Sequence, residues 1–277
     1  STAMTAVEYR GKGIYKNLTR LAFKELSKYG GDFIFGYTIH EPVLKTEMKL
    51  GYTLIGDSAV LAFPLKPGKI LQKLPYLNWL GTSINGIANW AGKFYLRLKS
   101  LKNKDDVSIV IHKVNEFPKD IEFISETKKS LSQYEVLKDS FHLNWKYGKS
   151  FITKEKHHFV IAEKRGQVVG WGVCVKMEMK GLNGLAILDA SAIPEFEKEI
   201  LGAIVKHQIN LANKMDLEII GCMVDHNSKL FAVLRGMGFF LTSHQFKTIF
   251  YPLADNLPPS MSEAQNWRHT WGSSDTL

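Results

Sequence analysis

The sequence contains few cysteines, and no apolar run in it is long enough to cross a bilayer. Its two cysteines, Cys174 and Cys222, form neither a disulfide framework nor a zinc-ligand spacing, and each stands in an apolar, strand-like run. They are therefore predicted to be buried, reduced thiols, which is typical of a cytoplasmic protein. Because no run reaches about 18 apolar residues, we expect no membrane-spanning helix. We also expect no metal site.

Acidic residues are scarce relative to basic ones, 27 against 36, so the formal net charge is +9. Such an excess suits a phosphate-bearing ligand, a nucleic acid or an anionic membrane surface. Lysine supplies most of the charge along the whole chain, and no RNA-recognition or zinc-finger motif accompanies it, so no nucleic-acid partner is expected. With 277 residues, of which 45% are hydrophobic, the chain is long enough for one large or two modest domains.

The most informative stretch is residues 7–15, Val-Glu-Tyr-Arg-Gly-Lys-Gly-Ile-Tyr. The apolar run at residues 2–7 predicts a strand before it. A helix is predicted after it, because apolar residues recur on one helical face at Ile14, Leu18, Leu21, Ala22 and Leu26. A glycine turn at a helix N-terminus favours anion binding, since first-turn amides lack intrahelical partners and glycine permits close approach. Arg10 and Lys12 add positive charge.

The spacing of these residues distinguishes among the known phosphate loops. It fits neither a P-loop nor a dinucleotide fingerprint, whose third glycine would stand at Lys16. Arg10 and Gly13 do match the pattern Arg/Gln-x-x-Gly-x-Gly/Ala. The stretch therefore resembles the acyl-CoA pyrophosphate loop of the GNAT (acyl-CoA N-acyltransferase) superfamily, with Tyr15 where the superfamily has a small residue.

The elements after the loop follow the order seen in that superfamily. Residues 32–37 predict a buried strand, and residues 42–50 predict a short helix that closes with Gly51-Tyr52. His40 and Glu47 stand where many members have a helix-opening Asn and a general-acid Tyr. Two further apolar runs then predict a hairpin with its turn at residues 56–58.

The resemblance implies a reaction and a set of residues. It implies direct acyl transfer from acetyl-CoA or another acyl-CoA, as cosubstrate, to an amine or hydroxyl of a small or polymer-linked acceptor. The pyrophosphate would lie on the glycine loop, and the pantetheine would pair with the preceding strand. His40 is the candidate catalytic residue, because histidine accepts protons near neutral pH, although it could equally cap the following helix. The implied cofactor-binding residues are Met4, Ala6, Val7, Arg10, Gly11, Lys12, Gly13, Ile14 and Tyr15.

Residues 107–253 repeat this order of strands and helices and include strands that precede the loop in the superfamily. Their expected phosphate loop, residues 193–198, has no glycine and carries Glu195 and Glu197, which would repel phosphate. This part is therefore expected to bind no acyl-CoA and to form one wall of the substrate cleft. The whole chain resembles tandem-GNAT proteins of bacteria, with an α/β (α+β) fold of mixed sheets flanked by helices.

We divide the sequence into four parts. The first unit, residues 1–65, corresponds to the C-terminal half of a GNAT domain. Its N-terminal half is either missing from the sequence, which we favour, or replaced by another segment. Residues 66–106 are a basic connecting segment, residues 107–253 are the second unit, and residues 254–277 are a C-terminal tail.

The connecting segment contains an amphipathic pattern at residues 83–102. A helix of this kind packs on a neighbouring domain or lies on an anionic membrane. The alternative function is therefore a non-catalytic tandem module that binds a ligand or a membrane surface through this segment.

Overall fold

A computed structural model describes residues 6–72, 109–128, 134–148 and 157–273. The helices are α1 (Ile14–Lys28), α2 (Glu41–Lys49), α3 (Pro67–Gln72), α4 (Glu122–Lys128), α5 (Ser140–Tyr147), α6 (Glu197–Lys214) and α7 (Lys229–Gly236). The strands are β1 (Phe33–Thr38), β2 (Thr53–Pro64), β3 (Ile109–Val114), β4 (Tyr134–Glu135), β5 (His158–Lys164), β6 (Gln167–Met179), β7 (Leu182–Ala192), β8 (Ile219–Asp225), β9 (Phe240–Pro252) and β10 (Trp267–Arg268).

Eight of the described strands form one mixed sheet in the order β1-β9-β2-β8-β7-β6-β5-β3. The β7–β8 pair is parallel and the other neighbours are antiparallel. Helix α6 packs closely on this sheet, because Gly170 and Gly172 of β6 leave room for Ile200 and Ile204. The predicted fold class, a large mixed sheet flanked by helices, is confirmed.

Strand β2 is one continuous strand, so the predicted hairpin turn at residues 56–58 is wrong. It pairs with β8 from Ser58 to Pro64 and with β9 along its other edge, with register shifts near Gly56 and between Ala59 and Leu61. The polar residues that suggested a turn are held in the sheet instead. Ser58 is fully buried, and Asp57 forms an ion pair of 2.8 Å with Lys247 of β9. Strands of the first and second units thus share one sheet, and the division of the chain into units stays a prediction.

Helix α1 buries a different face from the predicted one. Phe23 is buried and stacks on Tyr251 with ring centroids 4.1 Å apart, whereas Leu18 and Leu21 are 60% and 55% exposed. Tyr15 lies two turns before Phe23 on the buried side. Aromatic packing on β9 therefore orients this helix, and the aliphatic stripe that predicted the helix faces outward.

The strand predicted at residues 2–7 does not extend to Val7. Residues Val7–Tyr9 form a short 3-10 helix, because the N–H of Tyr9 donates to the carbonyl of Ala6 and that of Arg10 donates to Val7. Local hydrogen bonds thus take the place of strand pairing at this point. Met4 and the amphipathic segment 83–102 lie outside the described residues.

The core lies between the sheet and the helices of the second unit. Trp171 of β6 is fully buried, and it meets Phe117 edge to face. Cys174 and Cys222 are free and buried, as predicted. Over the described ranges, none of the helices combines the length and the apolar character that a membrane crossing requires.

The central position of β2 predicts cooperative unfolding of the whole sheet. Leu61 is fully buried in the core, so Leu61→Ala should lower the free energy of unfolding by about 2–5 kcal/mol. Urea unfolding followed by both tryptophan fluorescence and circular dichroism should show one shifted transition. Leu54→Ala, in the exposed part of the same strand, is the control and should cost less than about 1 kcal/mol. A second transition that Leu61→Ala leaves unchanged would contradict the single sheet.

Candidate active site

The glycine loop lies at the start of α1, as the sequence predicts. Gly11 and Gly13 both adopt left-handed backbone conformations, with φ of 77° and 72°, and Gly13 is the residue that precedes the helix. Among the described residues, apart from each glycine and its two chain neighbours, no atom lies within 4 Å of the position where a Cβ would stand. The loop is therefore open to a ligand, and only glycine adopts this backbone without strain.

Backbone amides and basic side chains make the loop suitable for an anion. The first intrahelical bond of α1 runs from the N–H of Asn17 to the carbonyl of Gly13, at 3.0 Å. The amides of Ile14, Tyr15 and Lys16 precede it and have no intrahelical acceptor. Lys12 is exposed, with its Nζ 4.9 Å from the ring centroid of Tyr9. The partial positive charge at the N-terminus of α1 and the charge of Lys12 would therefore both attract an anion.

Tyr15 and Glu47 form a contact that joins the loop to α2. The hydroxyl of Tyr15 donates to Oε1 of Glu47 at 3.2 Å, and Oε2 of Glu47 has no partner among the described residues. Burial raises the pKa of Glu47, and the hydrogen bond from Tyr15 offsets part of that rise. The structure thus brings together the two positions, 15 and 47, at which the sequence differs from the pattern that it resembles.

His40 lies between β1 and α2. Its backbone carbonyl accepts from the amides of Val43 and Leu44, and its own N–H donates to Oγ1 of Thr38 at 3.2 Å. Its side chain makes no capping bond within the described part of the chain and is exposed. Backbone bonds thus fix the position of His40 and leave its imidazole accessible to a substrate.

A cavity of about 220 Å³ lies where β8 ends, beside the register shift of β2. Thr248, in its wall, pairs in register with Tyr37 near the end of β1. The cavity thus lies beside the strand that leads to His40. Its lining residues are Ile55, Gly56, Asp57, Asp225, His226, Asn227, Thr248 and His269.

Asp225 and His269 give this cavity an unusual protonation pattern. Burial raises the pKa of Asp225 to about 7, although the backbone N–H of His269, which donates to its Oδ2, lowers it. Burial also lowers the pKa of His269 to about 3, so its imidazole is neutral at physiological pH. The hydroxyl of Tyr37 lies 2.5 Å from Nδ1 of His269 and fixes the ring. An acid and a neutral histidine therefore line one wall.

Within the described part of residues 107–253, the start of α6 has no comparable glycine loop. The chain passes from β7 through a short 3-10 helix, Pro194–Phe196, directly into α6. The first turn of α6 carries Glu197 and Glu199, and Glu197 accepts a hydrogen bond from Lys128 at 2.9 Å. Negative charge thus occupies the helix start where a phosphate would bind.

Sequence reasoning does not predict that the C-terminal tail contributes to this cavity. Its His269 lies in the cavity wall, and Trp267 and Ser273 are buried with it. The sequence marks residues 254–277 only as a C-terminal tail. Their content of tryptophan, which favours buried positions, was the available signal.

The cavity predicts a pH dependence of stability. The folded protein holds the Asp225 proton up to about pH 7, whereas the unfolded chain, with a pKa near 3.8, loses it earlier. The contribution of Asp225 to stability is therefore lost as the pH rises from about 4 to about 7. Relative to wild type, Asp225→Asn should gain stability over this interval, by at most roughly 4 kcal/mol.

Urea unfolding at a series of pH values measures this difference. His269 titrates with the opposite sign, but its contribution is common to both proteins and cancels. The exposed Asp255→Asn is the control and should change stability little at any pH. A difference between Asp225→Asn and wild type that stays constant with pH would disprove the assignment.

Known structures with the same fold include a GCN5-related N-acetyltransferase from Anabaena variabilis ATCC 29413. It has a TM-score of 0.54 at 13% sequence identity, over 89% of this chain and 52% of that one. A conserved protein of unknown function from Enterococcus faecalis V583, described as a probable N-acyltransferase, has a TM-score of 0.52 at 10% identity, over 91% of this chain and 53% of that one.

These likenesses concern structure rather than sequence. No protein-family model and no curated protein matches the sequence. The chain spans about half the length of both structures. At identities this low the comparison establishes the fold alone, and the chain therefore has the fold of the GCN5-related N-acetyltransferases.

Proposed function

We propose that the protein is an acyltransferase that takes its acyl group from acetyl-CoA or another acyl-CoA. The observation that carries the proposal is the open, left-handed glycine pair at the start of α1. The pyrophosphate would accept hydrogen bonds from the first-turn amides, and Arg10 and Lys12 would supply positive charge. The GNAT fold supports this assignment, since one structure that shares it is named an N-acetyltransferase. Buried reduced cysteines support a cytoplasmic location.

The proposed reaction needs no covalent enzyme intermediate. A nitrogen or oxygen of the acceptor attacks the thioester carbonyl, the carbon–sulfur bond breaks, and the departing thiolate takes up a proton. The proton released by the acceptor goes to a base, and we assign that role to His40. Its exposed imidazole, at the end of β1, supports the assignment.

Gly13→Glu should weaken CoA binding on the order of 100-fold or more. The new carboxylate would stand where the phosphates bind, and like charges in close contact cost several kcal/mol. Isothermal titration calorimetry with CoA measures the loss. Gly30→Glu is the matched control, because Gly30 follows the other end of α1 with φ of 77° and equally open surroundings. Unchanged affinity in a folded Gly13→Glu protein would refute the site.

His40→Ala should lower kcat for acyl transfer by about 100-fold or more while leaving CoA affinity unchanged. Thiol release from acetyl-CoA in the presence of a panel of primary amines measures turnover. His244→Ala replaces another exposed histidine, on β9, and should leave kcat as in wild type. A His40→Ala protein with full activity would remove His40 from the mechanism.

The second candidate is a non-catalytic module that binds a ligand or a membrane surface. Glu47 favours this second candidate. Its carboxylate, which accepts a hydrogen bond from Tyr15, stands where many acyltransferases of this fold have a tyrosine that acts as the general acid. The membrane contact would involve residues 83–102. A protein that binds CoA but releases no thiol with any acceptor in the panel would support this candidate over the enzyme.

A further inference from the structure

The strands β7 and β8 separate part of the way along their length. They pair in parallel from Gly184 and Ile219 as far as Ile187 and Cys222. Strand β7 then continues to Ala192 and β8 to Asp225 outside this pairing. The two strands therefore leave an opening beside β7. Strand β7 precedes α6 in the second unit as the predicted pre-loop strand precedes α1 in the first unit. The resemblance places the pantetheine of acyl-CoA beside that pre-loop strand.

The C-terminal tail occupies this opening. Thr270 forms an antiparallel bridge with Val224, and the N–H of Asp225 donates to the carbonyl of His269 at 3.3 Å. Because β2 pairs along the other edge of β8, these bonds lie on the β7 side. Oγ1 of Thr270 also donates to Oδ1 of Asp189 in β7, at 3.1 Å. The tail thus bonds to both strands.

Buried charges hold the tail in place. Lys138 is buried and lies 3.0 Å from Oδ1 of Asp189 and 3.3 Å from Glu135. It also donates to Oγ1 of Thr270 at 3.4 Å. A further cation, Nζ of Lys146, donates to the carbonyl of Gly272. Charged groups in this setting are costly unless paired, and the tail adds Oγ1 of Thr270 and the carbonyl of Gly272 to their hydrogen-bond partners.

The fit around Gly272 is too close for any side chain. A Cβ at this position would collide with the hydroxyl of Tyr147 and the carboxylate of Asp189. On the other side of the tail, Trp267 contacts Phe35 of β1, with ring centroids 5.6 Å apart, and donates from its indole N–H to the carbonyl of Met261. The tail therefore connects the edge strand of the first unit to the core of the second.

We infer that residues 267–273 are a built-in occupant of the second unit's ligand groove, pairing with the strands where an acyl-CoA arm would pair. The tail and the acidic start of α6 then exclude acyl-CoA from the second unit by two independent means. The protein is left with one acyl-CoA site per chain. This last consequence rests on the proposed function, whereas the occupation of the groove does not.

Native-state proteolysis tests whether the tail is held. Trypsin cleaves after Arg268 only when the tail leaves the groove, and mass spectrometry follows the release of residues 269–277. The wild-type chain should be cut there on the order of 100-fold more slowly than a free peptide of residues 260–277. A wild-type rate equal to that of the peptide would overturn the inference.

Two variants and one control sharpen this test. Gly272→Ala should speed cleavage about tenfold or more, because the methyl group expels the tail. Thr270→Val, which keeps the volume but loses the bond to Asp189, should speed it severalfold and serves if Gly272→Ala does not fold. Gly202→Ala lies in open space on α6 and should match wild type. Wild-type rates in both tail variants would overturn the inference.

Calorimetric titration of the wild-type chain with CoA tests the consequence. One CoA per chain, lost in Gly13→Glu, is the expected result. Two CoA per chain would overturn the exclusion of acyl-CoA from the second unit. No binding at all would refute the proposed function, and the cleavage rates alone would then decide whether the tail fills the groove.

Discussion

The backbone pairing of β2 on both of its edges is the constraint on which the rest of the structure depends. Strands β8 and β9 are separated by one strand width, and β2, from a distant part of the sequence, fills that space. Without it, two rows of amide and carbonyl groups would be unpaired in the middle of the sheet, and each unpaired buried group is costly. The placement of β1, α1 and the glycine loop follows from β2, because they are attached to the sheet through it and through β9.

The two ends of the sheet differ: one carries the glycine loop, and the other carries most of the hydrophobic core. The end near β1 carries the open glycine loop and the accessible His40, and its buried cluster is small, consisting of Ile55, Phe250, Met261 and Trp267. The other end carries the large core, with Trp171 and the closely packed α6, and its own groove is filled by protein. The larger hydrophobic core thus lies away from the glycine loop.

Sequence reasoning predicted the elements well where hydrophobic periodicity was strong. It placed β1 and α2 within one residue, and it placed the glycine turn at the start of α1. It failed where long-range packing overrides local pattern. The hairpin turn at residues 56–58 was wrong because Ser58 and Asp57 find partners on distant strands. The inward face of α1 was wrong because Phe23 meets Tyr251, a contact between residues far apart in sequence. The role of Trp267 and His269 was missed for the same reason.

The order in which these parts leave the ribosome has a consequence for biosynthesis. Strand β2 is complete once residue 64 has been made, yet its partners lie at residues 219–225 and 240–250. The tail that closes the last opening is made later still. Contacts between residues so far apart in sequence form slowly. Both edges of the apolar strand β2 stay unpaired until its partner strands have been synthesised. The nascent chain therefore exposes an apolar strand with at least one unpaired edge until residue 250 has been made, which favours aggregation at that stage.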